Sequence, residues 1–236
     1  MFAVATPYNA TSKTFTSTEA LAKGKLPNFG YQLQLGSEGG VMEGFMGDDR
    51  GLVEKFLNGM YGGRTSSRRK FMVPEKGVDL DVMREDEVGK TPFFEEKVSR
   101  TSIVSGLHFI FGVLGLADVV SQELAFYTDA FHRNNLAGPM NWYRTRRVNY
   151  EDELKLPEAQ KNHIAQPVLF IQAAKDDVLI PAMSVGMERV IPKLTRAEVP
   201  TGHWALWQAP AQVNEIVGKW LAGLELGDGE SGKSKL

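Results

Sequence analysis

The sequence predicts an α/β chain, on three observations: a strand with the composition of a buried parallel strand, a second strand behind it, and an acid and an imidazole set just after their ends. Gln166-Pro-Val-Leu-Phe-Ile-Gln-Ala-Ala is a largely apolar run between Pro167 and Lys175, the pattern of a strand covered on both faces. It is followed at once by Asp176. A second short strand near 195–199 leads into Thr201-Gly202-His203, and a helix opens at Pro210, where proline suits the first turn. The order is strand, Asp176, helix, strand, His203, helix.

Taken from the start, 2–6 is a short apolar run closed by Pro7 and reads as a strand that ends immediately. Residues 8–70 are rich in Gly, Ser, Thr and Asn, with helical periodicity only around Leu52, Val53, Phe56 and Leu57, which reads as a cap rather than a core. The charged stretch 73–91 reads as loop or solvated helix. Residues 123–133 form an amphipathic helix with Leu124, Tyr127 and Phe131 on one face, broken by Ala137-Gly-Pro-Met. After the buried strand, Met183, Met187 and Val190 mark a helix-like stretch, and the last helix places Val213, Ile216, Val217, Trp220 and Leu221 on its apolar side.

Composition narrows the function. With 236 residues, 42% hydrophobic and 24% charged, the chain can hold one core and an elaboration. A net charge of -2 suggests neither nucleic acid nor an anionic membrane as a partner. The absence of cysteine excludes disulfides, thiolate metal sites and a cysteine nucleophile, and fits a reducing compartment. No secretory leader is expected at the amino end. The apolar run 103–117 is broken by Ser105, His108 and glycines and is shorter than the roughly 18 residues of a span, so no membrane crossing is expected. No cofactor or metal is implied.

In an open parallel sheet, functional groups gather at the carboxyl ends of strands. Asp176 and His203 both sit there, 27 positions apart, which is one helix and one strand. A carboxylate in that place accepts the imidazole N–H, fixes the tautomer and stabilises the imidazolium formed when His takes a proton.

Here the residues resemble a known family. Ala174-Lys-Asp-Asp-Val-Leu-Ile-Pro followed by Gly202-His-Trp is similar to the last part of α/β hydrolases of the epoxide hydrolase group. Gly138-Pro-Met-Asn-Trp-Tyr-Arg and Phe29-Gly-Tyr-Gln resemble that group's two lid motifs. The resemblance implies an incomplete α/β hydrolase fold, with the C-terminal strands of a parallel sheet, helices and a mainly helical lid. It implies the end of the N-terminal core at 1–19, the lid at 20–157, the last core segment at 158–222 and a flexible tail at 223–236. It also implies that Tyr31 and Tyr143 donate hydrogen bonds to the oxygen of an epoxide substrate, and that His203, oriented by Asp176 rather than Asp177, activates water against an ester intermediate. The product would be a diol. Another α/β hydrolase, such as a haloalkane dehalogenase or an esterase, and a non-catalytic truncated product are the alternatives.

Two departures from the family pattern stand out. The nucleophile elbow precedes the point where the resemblance begins, so the chain is expected to lack it and to be inactive alone. Gly47-Asp48-Asp49-Arg50-Gly51 fits G-x-D-x-G but follows no buried strand, and Asp49 is not expected to replace the nucleophile. Residues 98–122 have no counterpart between the lid helices and read as an insertion or an unspliced intron.

At the carboxyl end, Gly227-Asp-Gly-Glu-Ser-Gly-Lys-Ser matches a phosphate-loop pattern with neither the strand nor the helix that would build it, and it reads as tail. Ser234-Lys235-Leu236 is the address read by the peroxisomal import receptor. A peroxisomal location is expected, with the cytoplasm as the alternative.

Overall fold

The structure is a computed structural model that describes residues 1–92, 117–158 and 161–224. The expected insertion up to residue 116, the apolar run before Ala117, and the tail with Ser234, Lys235 and Leu236 lie outside the described residues. The chain divides into two compact units, one of residues 1–11 and 156–236, the other of residues 12–155.

The first unit is built on a three-stranded parallel sheet in the order Phe2–Val4, Val168–Ala173, Leu194–Val199. All six residues of the central strand are buried. Alternation sends Leu169, Ile171 and Ala173 to one side, where Val213, Ile216, Val217 and Trp220 of the helix Pro210–Gly223 pack on them. Val168 and Phe170 go to the other side, against Met187 and Ile191. Both faces are covered, which is why the strand is apolar throughout instead of alternating. Leu221 differs from expectation. It is 51% exposed, because the helix turns only its Val213 side to the sheet.

The stretch between the two long strands also differs from the single helix expected. It forms two short 3-10 turns, Pro181–Ser184 and Met187–Arg189. Gly186 between them has φ +88, a left-handed conformation that ends one turn and starts the next.

The second unit is mainly helical, with helices Thr18–Ala22, Gly30–Leu35, Val41–Met46, Arg50–Met60, Leu80–Glu85, Ala117–Asn134, Ala137–Asn141 and Arg146–Leu154, and a small antiparallel hairpin of Met72–Val73 and Gly77–Val78. Residues 8–70 therefore hold more helix than the periodicity predicts. Helices of five or six residues, such as Gly30–Leu35 and Val41–Met46, end at Gly36 and Gly47 before a 3.6-residue repeat becomes visible. Their buried side chains Leu35, Met42 and Met46 join Val53, Phe56 and Leu57 in the core.

The stretch 73–91 is a second correction. Val82 and Met83 of Leu80–Glu85 are fully buried, and Asp79 caps that helix by accepting from the N–H groups of Asp81 and Val82. The charges that suggested solvation lie on its outer side, where Arg84 faces Asp81 and Arg69 faces Glu85. On Ala117–Asn134, Leu124 and Thr128 are buried while Tyr127 is 36% exposed. The break after this helix comes at Asn135, with φ 58, and Ala137-Gly-Pro-Met is itself helical. Proline is accommodated there because it falls in the first turn.

The expected lid boundaries at 20 and 157 compare with unit boundaries at 11/12 and 155/156. Residues 12–19 are tied to the helical unit by side chains. Phe15 packs against Tyr150 at 5.5 Å with the Arg147 guanidinium over its ring at 3.9 Å, and Arg146 Nε donates to Thr16 O. No described helix is long and apolar enough to cross a membrane.

Candidate active site

Parallel pairing between the two long strands continues past their ends. Ala174 N donates to Val199 O at 3.0 Å and Lys175 N to Thr201 O at 2.8 Å. The two following loops are thereby zipped together, and residues far apart in sequence meet. Asp176 Oδ2 accepts from His203 Nδ1 at 2.9 Å. The other carboxylate oxygen, Oδ1, accepts from Val178 N at 2.8 Å and Leu179 N at 2.9 Å. Asp176 is 3% exposed, whereas neighbouring Asp177 faces solvent.

Burial acts most strongly on Asp176 and by itself would raise its carboxyl. The His203 hydrogen bond, the N–H of Leu179, the charge of the imidazole and the N–H of Val178 outweigh it together and hold the group below the ordinary carboxylate range. The site therefore keeps an ionised acceptor behind the imidazole at neutral pH. The imidazole is about a third exposed, so its far edge reaches solvent while its near edge is fixed.

Three further residues brace His203 and were not legible as such. Gly202 N donates to Gln208 Oε1 at 2.7 Å, from the short helix Ala205–Gln208. The Trp204 ring stands edge-on to His203 at 5.0 Å, and Trp207 stands edge-on to Trp204 at 5.7 Å. Trp204 belongs to the Gly202-His-Trp signature. Gln208 and Trp207 carry no sequence signal, since only the turn of the short helix brings them back.

The two tyrosines singled out in the sequence meet inside the helical unit. Tyr31, buried, sits on Gly30–Leu35 with its N–H bonded to Pro74 O at 2.7 Å. Tyr143 follows Ala137–Asn141 in a turn, and the two rings lie edge to face with centroids 5.8 Å apart at 82°. Gln32 Nε2 donates to Tyr31 Oη at 3.2 Å. Burial, and secondarily the neighbouring Tyr31, push the Tyr143 phenol up to about 12. It is a hydrogen-bond donor across the whole neutral range.

Asp49 is differently employed. Its side chain caps the helix Arg50–Met60 by accepting from Leu52 N at 3.1 Å. Among the described residues, no group of three or more His, Asp or Glu side chains could hold a metal ion.

No family model matches the chain. Epoxide hydrolase srdG of Neurospora crassa is 34% identical to it over 224 residues, which are 94% of this chain and 58% of that relative. Bifunctional epoxide hydrolase 2 of Rattus norvegicus is 40% identical over 101 residues, or 42% of this chain and 18% of the relative. Among solved structures, Epoxide Hydrolase A from Mycobacterium thermoresistibile shares the fold with a TM-score of 0.62 at 22% identity, over 95% of this chain and 61% of that one. Epoxide hydrolase VrEH1 from Vigna radiata gives 0.61 at 13% identity, over 94% of this chain and 61% of that one. The chain is thus a homologue of the epoxide hydrolases of the α/β hydrolase fold, spanning 58% of the length of the Neurospora relative.

Proposed function

We propose that this chain supplies the water-activating and oxygen-binding parts of an epoxide hydrolase, which adds water to an epoxide and releases a diol. The 2.9 Å contact between His203 Nδ1 and Asp176 Oδ2 carries the reading. An ionised carboxylate only accepts, so the proton sits on Nδ1 and Nε2 keeps its lone pair. In the first step a carboxylate attacks an epoxide carbon, the C–O bond breaks, and Tyr31 and Tyr143 hydrogen-bond the alkoxide that forms. In the second, His203 Nε2 takes a proton from water as its oxygen adds to the ester carbonyl. The ester C–O bond then breaks, and the departing diol oxygen receives that proton. Water's second proton passes from the released carboxyl group to the alkoxide of the first step, which completes the diol and regenerates the carboxylate.

Among the described residues, Asp49 of the G-x-D-x-G match is committed to its helix cap and is not assigned the attacking role. With this chain alone, a styrene-oxide-type substrate is expected to yield no diol. Grafting residues 20–222 in place of the matching stretch of the Neurospora relative is expected to give a protein that forms diol. Asp176→Asn in the graft, which leaves the wrong tautomer, should lower its rate by roughly 10⁴. A graft that turns over equally well with His203→Asn would sink the reading. We further propose peroxisomal import through Ser234, Lys235 and Leu236. Residues 223–236 fused to a fluorescent protein should collect in peroxisomes, and a diffuse cytosolic signal counts against this.

A further inference from the structure

Arg144 follows Tyr143 directly, and its guanidinium reaches three segments of the helical unit at once. Nη2 donates to Glu43 Oε1 at 2.5 Å and to Ser37 O at 3.0 Å, and Nη1 donates to Asn141 Oδ1 at 3.0 Å. Glu43 lies on Val41–Met46, Ser37 lies just beyond the helix that carries Tyr31, and Asn141 ends the helix before Tyr143. The two charged side chains are withdrawn from water, at 22% and 13% exposure.

Taking two charges out of water is costly, and their attraction offsets that cost only when the remaining donors and acceptors are also matched. Here Arg144 Nε and Glu43 Oε2 are both buried without a hydrogen-bond partner. A pair so incompletely matched is a weak stabiliser. What it provides is geometry, because the planar fork of a guanidinium fixes direction as well as distance. On its other side, Tyr143 lies directly against Gly36. A Cβ on that glycine would fall 2.9 Å from Tyr143 Cβ and 2.9 Å from its carbonyl oxygen.

We propose that Arg144, held by Glu43, is a positioning residue that sets Tyr143 edge-on against Tyr31, so that the two phenols address a single oxygen. The single-oxygen part rests on the proposed donor role of the tyrosines, whereas the link between ion pair and phenol stands apart from it.

The test is made on the 236-residue chain carrying tyrosine labelled with ¹³C at Cζ, with Tyr143→Phe identifying the signal. In the parent, the midpoint is expected to be raised, with burial pushing the Tyr143 phenol up to about 12. Arg144→Met and Glu43→Gln are each expected to admit water to the ring and bring the midpoint down toward the ordinary value of about 10. Arg144→Lys keeps the charge without the fork and should fall between. Far-UV circular dichroism identifies which variants fold. A folded Glu43→Gln or Arg144→Lys protein whose Tyr143 midpoint equals the parent's overturns the proposal. So does failure of all three to fold, which would make the pair structural. In the graft, a Tyr143→Phe protein that forms diol undiminished would remove the donor role and leave the titration result standing.

Discussion

Two pairs of side chains, one in each unit, are brought together by different means. Asp176 and His203 hang from loops whose backbones are bonded to each other through Lys175 N and Thr201 O, and Asp176 is fixed further by two backbone N–H groups. Tyr31 and Tyr143 are placed by a guanidinium fork, a carboxylate and a close approach over Gly36. The first arrangement extends a sheet and follows once the strands pair. The second depends on one side chain, Arg144, reaching the Glu43 carboxylate 101 positions away and the Ser37 carbonyl 107 positions away, so it is adjustable without rebuilding the fold. A backbone-held pair should fail all at once, and a side-chain-held pair by degrees.

The largest expected effect tests the first half of that statement. Asp176→Ala removes the partner of the imidazole and of two N–H groups at a buried position, and it should destabilise the chain by about 3 kcal/mol in urea. The same carboxylate gives an acid limb. Its folded value is lowered, so its contribution is complete above the ordinary carboxylate range and is lost as pH falls through the depressed folded value. Urea midpoints should therefore decline from below about pH 5. Asp176→Asn should flatten that decline, and an unchanged slope would mean that the carboxylate is not ionised in the fold.

Next comes Gly36→Ala, aimed at the second half. The backbone at Gly36, with φ -94, would accept alanine, so the penalty lies in contact with Tyr143 and with Gln32 O at 2.8 Å. Overpacking of that kind costs about 2 kcal/mol. The Tyr143 ring signals should shift while the downfield Nδ1 proton of His203 stays in place.

The same contrast explains what was legible. The strand Val168–Ala173, its burial on both faces and the positions of Asp176 and His203 after the strand ends all follow from local pattern, because sheet order and side-chain alternation are written in adjacent residues. Tyr31 and Tyr143 were found only through resemblance to lid motifs. Periodicity could not reach them, since one sits on a six-residue helix and the other in a turn. The roles of Glu43 and Arg144 left no trace, because an ion pair between distant segments has no spacing to recognise. The charged stretch around Val82 and Met83 misled for a related reason: its many charges hid two fully buried residues.

Asp49→Ala offers a smaller and separating effect. Asp49 lies in the helical unit, yet it is held as Asp176 is, by a backbone N–H. Loss of the cap should cost about 1 kcal/mol. Neither the Tyr143 midpoint nor the His203 proton should move. A change at His203 would show that this exposed carboxylate acts beyond its helix and would reopen the nucleophile question that G-x-D-x-G raises.

The smallest expected effect makes the sharpest comparison, because it applies the same substitution as at Gly36 to the other pair. Gly202 immediately precedes His203 and belongs to the signature that pointed to the family. The nearest atoms to a Cβ there would be the Gln208 side-chain amide at 3.6 Å and Lys175 O at 3.8 Å, which is ordinary contact. The hydrogen bond from Gly202 N to Gln208 Oε1 uses the main chain and survives the change. Gly202→Ala should therefore alter stability by no more than about 0.5 kcal/mol and leave the imidazole proton where it was. If it instead destabilised the chain as much as Gly36→Ala, the loop around His203 would be as tightly dependent on side-chain clearance as the tyrosine pair, and the distinction between backbone-held and side-chain-held pairs would fail.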